Sequence, residues 1–133
     1  MSGKCNAFLL ADRVIREENG KVGIIGSFNT FNFPVFPTVA PPFFAYVNLE
    51  DFSGEQEFSV NIVKEGADFV VGSHGGEIKF ADPSGEAELA IPFVGVRFPK
   101  AGIYNVLLTV NSYQYGSRKL IVNQTPTTQQ GGS

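Results

Sequence analysis

The chain has 133 residues, 43% hydrophobic and 13% aromatic against 17% charged. That is enough apolar material for one core and too little charge for a disordered acidic segment. Ten basic and thirteen acidic side chains give a formal charge of −3, so there is no broad positive field to attract a phosphate backbone, and nucleic acid is not an expected partner.

In chain order, the apolar run CNAFLLA between Lys4 and Asp12 is too short to cross a bilayer, and no membrane partner is expected. Cys5 is the one cysteine, which rules out an internal disulfide and fits a cytoplasmic setting. The sequence predicts strands over Phe8–Arg16 and Lys21–Phe28, joined by EENG, in which Asn19-Gly20 tolerates the positive φ angles of a tight turn. The next segment, FNTFNFPVFPTVAPPFF, contains Pro34, Pro37, Pro41 and Pro42, whose missing amide donors predict an ordered crossing loop rather than a central strand.

Phe43–Glu50 alternates, with Phe43, Ala45, Val47 and Leu49 on one face and Phe44, Tyr46, Asn48 and Glu50 on the other. Glu57–Lys64 repeats the pattern, and the two strands are expected to pair through DFSGE. Phe69–Gly72 and Glu77–Phe80 read as short strands around SHGG, with ADPSGE as the following turn. Ala87, Leu89, Ile91 and Phe93 form another apolar face, where Pro92 argues for an edge strand or a bulge. Ile103–Asn111 and Ser117–Asn123 make a terminal hairpin around SYQYGS, and TPTTQQGGS lacks apolar anchors.

With no helical periodicity and turn signals about every ten residues, these segments predict an all-β, antiparallel two-sheet sandwich of eight or nine strands, immunoglobulin-like or a related Greek key. One domain is expected over residues 1–124, followed by a flexible tail over 125–133. The expected core is Leu9, Ile24, Phe28, Val47, Phe58, Val60, Leu89, Ile91, Phe93, Tyr104, Val106 and Leu108. Charge is uneven, with ten acids and two bases from Glu50 to Glu88. The plainer reading sets complementary strands side by side, and the alternative is head-to-tail self-association.

Few catalytic chemistries fit. One His and one Cys cannot build a zinc site, and the acidic groups at Glu50, Asp51, Glu55 and Glu57, at Asp68, and at Asp82, Glu86 and Glu88 match no dedicated calcium loop. Neither a metal nor any cofactor is expected. A hydrolase would have to use His74 with these acidic loops or with Cys5, and no Gly-x-Ser-x-Gly turn presents a serine. Acids two apart, as in Glu86 and Glu88, could serve a glycosidase but are also what a wet strand face shows. The expectation is therefore a non-enzyme.

The feature that points to binding is the crowding of Phe28, Phe31, Phe33, Phe36, Phe43 and Phe44. Either these rings cap the end of the core, or part of them forms a partner surface, with Phe31, Phe33, Phe36, Phe44 and Tyr46 as its candidate residues. The leading reading is a non-catalytic module that self-associates into a homo-oligomer or docks a protein through this loop and an exposed sheet edge. The alternative is a small-ligand or carbohydrate binder using Tyr46, Asn48 and their polar neighbours.

The chain also resembles a family of uncharacterised bacterial single-domain β-sandwich proteins, a domain of unknown function. The likeness lies in Ala11, Asp12, Val14, Ile15 and Glu17, in GKVGIIGSF over residues 20–28, in the Phe-Pro step before PPFFAYVNLE, and in FPKAGIY over residues 98–104. The resemblance implies a sandwich and no activity, cofactor or catalytic residue. The FPKAGIY segment looks like the turn into the penultimate strand of many sandwich modules, where Tyr104 packs or bonds across the corner.

Overall fold

The structure, a computed structural model, describes residues 3–126, the side chains of 81–85 excepted. Among these residues there are nine strands and no helix: β1 (Lys4–Arg16), β2 (Val22–Phe28), β3 (Thr30–Phe33), β4 (Thr38–Val39), β5 (Phe43–Lys64), β6 (Val70–Phe93), β7 (Arg97–Phe98), β8 (Gly102–Val110) and β9 (Tyr113–Gln124). Seven form one sheet, ordered β2-β1-β5-β8-β9-β3 with β6 beside β5, and β4 pairs β7 separately. The sheet is mixed rather than purely antiparallel, because β3 runs parallel to β9, Thr30 opposite Ile121 and Phe33 opposite Gln124. Period-two patterning identifies strands but says nothing of their relative direction, which is why the expectation missed this pair.

β5 and β6 correct the expectation of separate short strands. DFSGE does not end a strand. It bends one, with Asp51 at φ 68° and Gly54 at φ 72° and shifts of register on either side of Phe52. ADPSGE likewise lies within the continuous β6, its side chains up to Gly85 outside the described residues. The first half of β5 lies between β1 and the second half of β6, and its second half lies between the first half of β6 and β8. One hydrophobic cluster draws on both halves, from Leu10, Val47 and Phe93 to Ile62, Val106 and Leu120. Each such side chain contributes about 1.5–3 kcal/mol by burial.

The hairpins differ from expectation in their turns. In EENG only Gly20 has positive φ, 88°, and its amide donates to the Glu17 carbonyl at 2.9 Å, the geometry of a type I turn closed by a glycine bulge. The last hairpin turns earlier than SYQYGS: Asn111 (φ 50°) and Ser112 (φ 75°) form a two-residue loop between Val110 and Tyr113. Asn111 tolerates that backbone because it is tied to β5, donating from its amide to the Glu57 carbonyl and accepting from the Glu57 amide at its side chain, at 2.7 and 2.9 Å. β9 ends at Gln124, the Thr125 amide donates to the Phe33 carbonyl at 3.0 Å, and 127–133 lie outside the described residues.

Of the expected core, Val47, Val60, Ile91, Phe93, Tyr104, Val106 and Leu108 are buried, Leu9, Phe28, Phe58 and Leu89 are half-buried, and Ile24 is 38% exposed. The inward residues of β1 are Phe8 and Leu10, since a bulge between Cys5 and Ala7 resets the alternation.

Candidate functional site

β3 and the loop after it turn the aromatic segment inward. Phe31 and Phe33 stand two apart on β3 and stack at 5.4 Å, Phe31 lies 5.5 Å from Phe43 and 5.8 Å from Phe98, and Phe36 meets Phe33 edge-on at 6.0 Å. The three rings are half-buried against the core cluster. Of the candidate surface residues, Phe31, Phe33 and Phe36 therefore form a column closing one end of the core, as the capping alternative describes, and what they leave in solvent is Val35 (55% exposed) and Val39 (54%). Phe44 and Tyr46 are not part of this column. They lie on the outer face of β5, opposite Ala11 and Leu9 of β1.

On that outer face the side chains form a polar ladder across three strands. The Tyr46 hydroxyl donates to Glu88, Asn48 donates to Glu86 at 3.0 Å, and Asn6 donates to Asn48 at 3.1 Å and to Glu50 at 2.6 Å. Tyr46 is 7% exposed and Asn48 9%. Burial, and then the bond to Glu88, push the Tyr46 hydroxyl's pKa above its ordinary value. Arg16 lies 3.9 Å from Glu88. Ala7 is the β1 residue level with Asn48 and Glu88, so along a flat strand Arg16 would stand about 30 Å away. The end of the β1–β2 hairpin therefore folds back over this face. Lys4 pairs Glu50 and Asp51 at 3.9 and 4.0 Å, while the two acidic strands β5 and β6 also pair with each other, Glu50 opposite Glu86 and Glu57 opposite Glu77.

The hairpin's outer strand is less well covered. Among the described residues β2 pairs with β1 alone, and its residues VGIIGSF include no charge and no proline. Ile24 is 38% exposed, Ile25 40%, and Ile15 beside them 42%. The other open edges carry the devices that discourage pairing: Pro92, Glu77 and Lys79 on β6, and only four residues on β3 before Pro34. Strand patterning alone did not locate this edge, because it reports which residues share a face and not which strand lies outermost.

His74 is half-buried on β6 opposite Val60, its ring 6.2 Å from Phe93. Cys5 is held on β1, its thiol donating to the Ala7 carbonyl at 3.3 Å and its pKa pushed up by burial. Among the described residues, neither Cys5 nor any acidic side chain lines the cleft that His74 lines. Glu86 and Glu88 are engaged by Asn48 and Tyr46. Among the described residues no three His, Cys, Asp or Glu side chains gather as metal ligands, and no helix is long and apolar enough to cross a membrane.

A family model described as "Family of unknown function (DUF6941)" matches residues 6–123. The chain belongs to this family. The match takes in the polar ladder, the β2 edge and the His74 cleft of the DUF6941 chain. No curated protein matches it. Among solved structures, the Pseudomonas fluorescens alkylpurine DNA glycosylase AlkC, bound to DNA containing an abasic site analog, superposes with TM-score 0.53 at 11% identity, covering 91% of this chain and 30% of that one. A Listeria innocua β-glucosidase in complex with isofagomine gives TM-score 0.49 at 9% identity, covering 90% of this chain and 16% of that one. The DUF6941 chain thus spans less than a third of either neighbour, and at such identity the likeness to the glycosylase is one of fold.

Proposed function

We propose that this DUF6941 chain is a non-catalytic interaction module, a two-layered β-sandwich that docks a second copy of itself along the open edge of β2. Two features support the layering: the bend of β5 at Asp51 and Gly54, and the core shared by the two halves of the sheet. The observation that carries the docking is the composition of the edge: seven uncharged residues, with Ile24 and Ile25 more than a third exposed and no partner on the outer side among the described residues.

A second copy fits this edge by symmetry. Two antiparallel strands related by a two-fold axis perpendicular to the sheet keep inward residues opposite inward ones, so the axis passes midway between the two copies of one residue. Ile25 is the centre of β2. An axis there pairs the strand along its whole length, with Ile25 against Ile25, Ile24 over the bare backbone of Gly26, and Val22 beside Phe28. A cytoplasmic setting belongs to the same reading, resting on Cys5 as the one cysteine.

Sedimentation equilibrium tests it. A concentration-dependent dimer is expected, and Ile25→Lys, which sets two like charges opposite each other at the centre, is expected to abolish it. A strict monomer at millimolar concentration, or a dimer indifferent to Ile25→Lys, counts against the proposal.

A further inference from the structure

The two halves of β6 are both open edges, and between them lies a cleft of about 370 Å³ lined by Val71–His74 and Pro92–Val96. That volume falls in the range of small-molecule sites, roughly 300–1,000 Å³. We infer that this cleft binds a small carboxylic acid with an apolar body, its carboxylate on the His74 imidazole and its body against Phe93.

Three observations lead there. The cleft is apolar at its wall and rim: Phe93 is core, and Val70 (52% exposed) and Val94 (76%) leave unusually wet aliphatic surface beside it. Its base is firm, because a side chain added at Gly72 would meet Ile62 at 3.1 Å, Val96 at 3.3 Å and Phe93 at 3.5 Å, so the strand backbone itself closes it. Its polar complement is nearly a single group. Ser73 already donates to Asn61 at 2.6 Å, and among the described residues the His74 ring has no hydrogen-bond partner. An inorganic anion would leave the apolar walls uncovered, and a neutral apolar molecule would leave the imidazole unpaired.

Among the described residues no other titratable side chain lines the cleft. Val60 faces His74 from β5, and neither Glu77 further along β6 nor Arg97 after Val96 is among the lining residues.

The test is titration of the isotope-labelled full chain with benzoate, following the His74 ring and Phe93 resonances. Saturable shifts at both residues are expected, with benzoate roughly tenfold tighter than benzyl alcohol. His74→Leu, which keeps the bulk and removes the hydrogen-bonding ring, should lower benzoate to the affinity of benzyl alcohol. Equal affinity for benzoate and benzyl alcohol, an unchanged preference for benzoate in His74→Leu, or no saturable shift at Phe93 would overturn the inference. Sulfate is expected not to bind, and sulfate binding equal to that of benzoate would also overturn it.

Discussion

The Tyr104 hydroxyl donates to the Lys100 carbonyl at 2.7 Å, closing the corner that leads into β8, and its ring is wholly buried edge-on against Phe98, 5.0 Å away. The bond gives the hydroxyl a partner inside the core and pins the turn before Gly102. Tyr104→Phe keeps the ring and removes the donor, leaving the Lys100 carbonyl short of a partner, and is expected to cost about 1–2 kcal/mol in urea denaturation. Lys100→Ala leaves the carbonyl in place and should stay within about 0.5 kcal/mol.

Alkaline pH should act on the same groups. Burial raises the pKa of Tyr104, Tyr46 and Cys5. For an acid raised in the folded state the protonated form is the one the fold favours, so its stabilisation is complete below the unfolded pKa and is lost as pH rises through the folded one. Stability should be flat with respect to these groups at neutral pH and fall above about pH 9–10, where unfolded Cys and Tyr ionise. Urea midpoints between pH 8 and 11 measure this, and Tyr46→Phe should flatten the slope.

The polar ladder separates buried from exposed contributions. Asn48 bridges Asn6 and Glu86 while 9% exposed, so Asn48→Ala is expected to cost about 1–3 kcal/mol. The Arg16 side chain is 59% exposed and that of Glu88 31%, so Arg16→Ala should change stability by less than about 0.5 kcal/mol. Denaturation of the two variants side by side checks the ratio.

Gly26 sits at φ 71° in β2, and a side chain added there would run into the Asp12 carboxylate. Gly26→Ala is expected to destabilise the monomer by about 1 kcal/mol or more through backbone strain and that clash. Gly20, at φ 88° with nothing nearby, should show the strain alone and lose less. Thermal melts of both variants would rank them.

Much of the fold was legible because alternation is a local signal. Phe43, Ala45, Val47 and Leu49 are all at or below 1% exposed, as their spacing requires. Tyr104 was legible from FPKAGIY, and an edge position for the strand carrying Pro92 from the missing amide donor. What stayed hidden depends on partners remote in sequence. DFSGE has the composition of a turn, yet β6 pairs β5 on both sides of it and turns it into a bend. Phe31 and Phe33 sit among prolines, yet the parallel pairing with β9 makes them a strand. Ile24 alternates like a core residue and lies on the outermost strand, where little covers it. Tyr46 and Asn48 were visible as a polar face, but their partners Glu88 and Glu86 come from a strand some forty residues away.

The most direct measurement for self-docking is an isotope-filtered NOE experiment on a mixture of labelled and unlabelled full-length chains at millimolar concentration. Cross-peaks between copies are expected from Ile25 to Ile25 and from the Ile24 side chain to the Gly26 α protons, together with slowed exchange of the outward β2 amides. No contact between copies at β2, with those amides exchanging as freely as exposed ones, would contradict the account.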